Sequence, residues 1–224
     1  MEMKNSVLHL QLITANLFCF NPWQRAAIQH LLTTAADVLI LPEVKPTLLD
    51  WLRAVANSAG YMLVSAPTNH QMTLCFLSRL PIAQSQIIDQ GSFAGRPQLR
   101  VDLTAGITLF AIHLMAPITP WKQQARNAQL VQVAAILNTE TQPVIAAGDF
   151  NTTAHDRLFQ PLLRLASPQA EYTKARPKSW PALLPLASLD HVIHNQHVRL
   201  EQLAPGKFNG SDHLPMIAHL AITH

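Results

Sequence analysis

Cysteine is scarce: Cys19 and Cys75 are the only two in 224 residues. Both sit in apolar, strand-like text, which reads as two buried reduced thiols and excludes a disulfide framework or a cysteine-built metal site. No run reaches the ~18 apolar residues of a membrane span. The opening "MEMKNSVLHLQL" has no long apolar segment behind a basic start, so no signal peptide is expected and the protein is expected to be cytoplasmic. Gly/Ser-rich linkers, blocks of like charge, internal repeats and low-complexity tracts are all missing. Residues 1–224 are therefore expected to form a single domain, and 49% hydrophobic content suffices for a sizeable core. The formal charge of +3 is weakly basic. It permits a phosphate-bearing substrate without demanding one.

The patterning that is present alternates. "VLHLQLITANLF" reads as a strand, "PWQRAAIQHLLTTAA" as a helix entered at Pro22, "DVLILPEV" as a buried strand, and "TLLDWLRAVANSAG" as a helix stopped by Gly60. A meander of short strands follows, from "YMLVS" to "ITLFAIHL". "WKQQARNAQLVQVAAILNT" reads as a helix, "PVIAAGDF" as a strand and "DRLFQPLLRL" as a short helix. "SLDHVIHN", "VRLEQLAP" and "LPMIAHLAI" read as closing strands. Buried strands need cover on both faces, which two packed sheets with helices outside would supply. The absence of crossover helices in the meander argues against a doubly wound sheet.

Polar residues recur where these strands end: Asn16, Glu43, His113, Asp149 with Asn151, Asp190, and Asp212 with His213. Singly, each has a bland reading. Glu43 suits an ordinary loop acid, His113 a hydrogen-bonded core histidine, and "DFN" an Asx turn. Jointly, four carboxylates, two amides and two histidines at strand ends make a kit for hydrolysing phosphate esters. Carboxylates hold a hard cation, and histidine–carboxylate pairs move protons.

"LILPEV", "AGDFNTT", "SLDHVI" and above all "NGSDHLPMIAHL" closely resemble the endonuclease/exonuclease/phosphatase family, in the family's order and over nearly the whole chain. The resemblance implies an α/β fold, a four-layer αββα sandwich of two packed mixed sheets flanked by helices. It implies metal-dependent phosphoester cleavage with Mg²⁺, or Mn²⁺ in its place. Glu43 resembles the principal metal ligand, with Asn16 beside it and Asp212 contributing. Asp149 resembles the residue that orients or deprotonates water, and Asn151 a phosphate-oxygen donor. Asp212 and His213 resemble the family's Asp–His pair. Asp190 resembles a carboxylate that supports a histidine or a metal, and His113 a second catalytic histidine.

The departures narrow the expectation. Apurinic-site endonucleases carry an acid where Phe18 stands and a Tyr where His113 stands, which argues against abasic-site repair. A phosphodiesterase or nuclease is the expected activity, with DNA the first partner to test. The alternatives are a phosphomonoesterase, a lipid phosphodiesterase, or a silent phosphate-binding module. The segment 167–185 reads as an insertion in which Lys174, Arg176 and Lys178 flank Tyr172 and Trp180. Basic residues interleaved with aromatics can grip nucleic acid, and Arg96 is a further candidate phosphate contact. The bland reading packs Trp180 over a sheet edge and leaves the basic residues solvated. Oligomeric state is not legible.

Overall fold

A computed structural model describes residues 7–68, 71–88, 96–166 and 177–223. Lys174 and Arg176, with Tyr172 and most of the expected insertion, lie outside the described residues. One sheet orders its strands β10-β11-β1-β2-β4-β3, the other β5-β6-β7-β8-β9. Their ranges are β1 Val7–Thr14, β2 Val38–Val44, β3 Met62–Thr68, β4 Met72–Ser78, β5 Ile82–Ile88 and β6 Gln98–Leu103. The remainder are β7 Ile107–His113, β8 Val144–Asp149, β9 Asp190–His194, β10 Val198–Pro205 and β11 Met216–Thr223. Four helices complete the described elements: α1 Gln24–Thr33, α2 Leu49–Ser58, α3 Pro120–Thr139 and α4 Gln160–Ala166.

The expected sandwich is what forms, because alternate residues of each strand face opposite ways. Leu10, Leu12, Val38, Ile40, Leu74 and Phe76 of the first sheet meet Leu99, Val101, Leu109, Ile145 and Val192 of the second in one buried cluster. The opposite face of the first sheet, with Ile13, Leu39 and Leu77, is covered by Ile28 and Leu31 of α1 and Leu52 of α2. The outer face of the second, with Phe110, Ile112 and Ile193, is covered by Leu130, Val133 and Leu137 of α3 and Leu162 of α4. Among the described residues, no helix is long and apolar enough to cross a membrane.

Among the described residues, two strand pairs are parallel: β1 with β2, and β7 with β8. Each needs a crossover, and α1 and α3 provide it. Each pair is also flanked by an antiparallel strand, β11 beside β1 and β9 beside β8. The two halves thus present the C-terminal ends of parallel strands together, the place where α/β sheets form ligand sites.

Both cysteines are buried and free. Burial pushes the Cys75 thiol up to about 12; burial, aided by Glu43, pushes Cys19 up to about 11. Since the thiolate is the reactive form, an aqueous disulfide reagent is expected to leave the native protein unmodified and to titrate both thiols after unfolding. Native reaction at the rate of free cysteine would contradict this burial.

Candidate active site

Asn16 lies two residues beyond β1, and Glu43 lies inside β2. The strand runs through Pro42; the β2–β4 register shifts between Leu41 and Val44, and pairing resumes at Val44. Within that bulge Glu43 takes φ +62°, a left-handed conformation that costs a non-glycine residue free energy. Gln24 of α1 holds it there. Its Nε2 donates to the Glu43 carbonyl at 2.8 Å, and its Oε1 accepts from the Lys45 N–H at 3.0 Å. The Cys19 N–H donates to Glu43 Oε2 at 3.0 Å. The strained bulge turns the carboxylate toward the other sheet.

That sheet presents His113 and Asp149 in register at the ends of β7 and β8. The strands approach closely at Gly148, where an added Cβ would stand 1.9 Å from the Ile112 carbonyl oxygen. Beyond it Asn151 adopts φ +47°. Its N–H donates to Asp149 Oδ1 at 2.8 Å and its Nδ2 to Asp149 Oδ2 at 3.1 Å, so "DFN" does make an Asx turn. Asn151 Nδ2 also reaches the Leu114 carbonyl at 2.9 Å, tying the loops after β7 and β8 together.

The two halves join through Asn16. Its Nδ2 donates to Glu43 Oε1 at 3.2 Å and to Asp149 Oδ2 at 3.0 Å. Glu43 Oε1 lies 3.5 Å from His113 Nε2, which also contacts the Arg96 guanidinium. On the far side, His213 Nε2 lies 3.9 Å from Asp149 Oδ2, while its Nδ1 bonds Asp190 Oδ2 at 2.7 Å. Ser211 fixes this end, its hydroxyl donating to the Asn16 carbonyl at 2.6 Å and accepting from the His213 N–H at 3.1 Å. A continuous polar chain therefore runs His113–Glu43–Asn16–Asp149–His213–Asp190 across both sheets. His113 is fully buried, yet its ring meets this polar chain and is not part of the apolar core between the sheets.

Asp212 is turned away from the centre of the chain: its Oδ2 accepts the Trp180 indole N–H at 3.3 Å. Trp180 is partly exposed, bridged to Ala187 across its own short loop. Arg96 also donates to the Leu114 carbonyl at 3.3 Å. Lys178 is exposed.

Environment sets the charges. Burial alone would lower the His213 pKa, but Asp190 and Asp149 outweigh it and push it up to about 10, so the ring is an imidazolium at neutral pH. Burial, then the neighbouring Asp190, raises Asp149, while His213 opposes them. Burial and the Arg96 cation depress His113 to about 4, leaving it neutral near pH 7. Burial disfavours ionised Glu43, yet hydrogen bonds from His113, Cys19 and Asn16 hold it well below the usual carboxylate range.

Four supporting residues were not singled out from the sequence: Gln24, Gln98, Arg126 and, except as part of a turn, Ser211. Gln98 clamps His113 through its backbone, accepting from its N–H at 2.6 Å and donating to its carbonyl at 3.2 Å. Arg126 donates to the Asn151 carbonyl at 3.2 Å and pairs with Asp156 at 2.9 Å. A signal existed for two of them. Gln24 shares the buried helix face of Ala27, Ile28 and Leu31, and Arg126 that of Leu130, Val133 and Leu137. A polar residue on an apolar stripe needs a partner, and here both partners are in the site.

A sequence profile of the Endonuclease/Exonuclease/phosphatase family matches residues 13–213, spanning every residue of the polar chain. The chain belongs to that family. Among curated relatives, it is 28% identical over 123 residues to a UPF0294 protein of Vibrio cholerae, an alignment covering 55% of this chain and 43% of that protein. The chain thus spans under half the length of the curated relatives it matches. Family folds recur among solved structures. The 3′ phosphatase NExo from Neisseria, bound to a product DNA hairpin, superposes with TM-score 0.73 at 15% identity, covering 93% of this chain and 98% of that one. Sphingomyelinase C from Streptomyces griseocarneus superposes with TM-score 0.70 at 19% identity, covering 95% and 99%. At such identities the likeness is one of fold.

Proposed function

We propose that this protein is a divalent-metal-dependent phosphodiester hydrolase acting through the Asp149–His213–Asp190 end of the polar chain. The observation that carries the reading is the cluster itself: ligand atoms of Asp149, Asp190 and His213 lie within 4.8 Å of one another, all buried. Family membership supports phosphoester hydrolysis as the chemistry. Asp149, held by three amide donors, accepts a proton from water and aims it at phosphorus. His213, fixed by Asp190 through Nδ1, presents a positive Nε2–H to the charge that develops on the phosphoryl oxygens. The Arg96 guanidinium, within electrostatic reach of Asp149, would donate to those oxygens, while Asn151, both Nδ2 protons engaged by Asp149 and Leu114, holds Asp149 in place.

The donor set fits a hard cation. Glu43, half-buried, and Asp149, buried, are carboxylates bridged by a neutral amide. Glu43, with Asn16 and Asp149, would hold Mg²⁺ or Mn²⁺. Asp190 and His213 already satisfy each other at 2.7 Å, and Asp212 faces Trp180, so both suit supporting roles better. The ion would supply charge neutralisation at the phosphate.

Activity on bis-p-nitrophenyl phosphate is expected to vanish in EDTA and return with Mg²⁺ or Mn²⁺. Glu43→Gln is expected to weaken Mg²⁺ binding about tenfold or more by calorimetry. Full activity in chelator would end the metal assignment. Cleavage of p-nitrophenyl phosphate alone would turn the reading to a phosphomonoesterase. DNA as substrate rests on the weak positive charge and on the neighbour bound to product DNA; Lys174 and Arg176 lie outside the described residues.

A further inference from the structure

We propose that the rim of this cleft docks on an anionic lipid bilayer, which would present the phosphoester of a lipid headgroup to the site; the substrate class rests on the hydrolase reading above. Among the described residues, nine of the fourteen exposed large hydrophobic residues lie on four segments beside the polar chain, eight in loops and Trp121 in the first turn of α3. Phe20 and Trp23 follow Asn16 and Cys19. Ile118 and Trp121 follow His113. Leu183, Leu184 and Leu186 extend from Trp180, whose indole meets Asp212. Phe208 precedes Ser211 and His213. Three of the segments touch one another: a Cβ at Gly210 would lie 3.0 Å from the Trp23 ring, and the Ala182 N–H donates to the Asp212 carbonyl at 2.7 Å. Three of the protein's four tryptophans are exposed on this one edge.

Charge selects the occupant. Segments 17–23, 114–121, 177–187 and 206–213 contain one acid, Asp212, half-buried against the Trp180 indole. A lysine accompanies each apolar tip: Lys122 lies 5.5 Å over the Trp121 ring, Lys178 precedes Trp180, Lys207 precedes Phe208, and Lys45 donates to the Asn21 carbonyl near Trp23. Exposed apolar tips with four lysines against that one acid match an interface of acyl chains beneath anionic headgroups. Aromatic residues and lysines alone would also suit stacked bases of a single strand. The aliphatic tips decide between the two: Leu183 is 85% exposed, Ile118 73% and Leu184 66%, and branched aliphatic side chains gain from burial in hydrocarbon but have no ring to stack.

The test is co-sedimentation with vesicles, made either of phosphatidylcholine alone or of phosphatidylcholine and phosphatidylglycerol in equal parts. The protein is expected to partition onto the anionic vesicles, less so as salt rises, and to leave the neutral ones in solution. The double variant Leu183→Glu, Leu184→Glu is expected to lose about a hundredfold in partition, about tenfold per leucine, while melting at the wild-type temperature. No partition onto anionic vesicles, or equal partition by a folded double variant, overturns the docking surface. So does binding of a single-stranded oligonucleotide that the double variant loses while vesicles are ignored. Hydrolysis of soluble bis-p-nitrophenyl phosphate by the wild type is scored separately. A protein that cleaves this diester but ignores vesicles loses only the docking surface; one that binds vesicles but cleaves no diester loses the hydrolase reading.

Discussion

Asp149→Asn and His213→Ala are each expected to lower kcat/KM on a soluble phosphodiester by about 10²–10³. The two act as one unit, so the double variant is expected to lose little more than the worse single. Asp149 receives the Asn151 N–H, Asn151 Nδ2 and Asn16 Nδ2 on its two oxygens. An asparagine there would turn an NH₂ toward at least one donor, removing both the base and its positioning. His213→Ala removes the cation facing Asp149 and strips Asp190 of its 2.7 Å partner, leaving a buried carboxylate short of compensation. Melting curves must therefore accompany the kinetics. A folded His213→Ala protein with near-normal turnover would end the role assigned to that ring.

The second large effect is structural. Gly148→Ala is expected to destabilise the protein by about 3 kcal/mol or more. Its φ of +143° is one that side-chain-bearing residues rarely adopt, and the added Cβ would enter the backbone of β7, 1.9 Å from the Ile112 oxygen and 2.8 Å from its carbon. Backbone cannot swing aside as a flexible side chain can. Relief requires β8 to move from β7, which slides Asp149 against His113, its register partner. A lowered melting temperature and lost activity are expected together. An alanine variant melting like the wild type would show the strands closer to accommodation than this geometry allows.

The sandwich was legible in the chain because its cause is local. Apolar alternation, helix periodicity and the position of Pro22 each act within a few residues, and together they predict strands and helices whose only arrangement that covers both strand faces is two sheets between helix layers. Asn16, Glu43, His113, Asp149, Asp190 and His213 were legible as polar residues at strand ends, and the motifs around them placed the chain in its family. What could not be read was their joining. Asn16 and Asp149 are separated by 133 positions, and their 3.0 Å contact exists only because two parallel strand pairs from different sheets end side by side. The bulge that keeps Glu43 inside β2 is set by pairing with β4 and by Gln24 reaching from α1, interactions that local propensity does not encode. The same holds for the cleft's rim. Each exposed tryptophan or leucine is an ordinary surface residue in sequence, and only the folding of distant segments beside the polar chain makes them a single apolar, lysine-rich border. Short-range periodicity therefore determined the layers and supplied the chemistry, while the tertiary structure decided which residues share an electric field, because that depends on through-space distances that chain separation does not constrain.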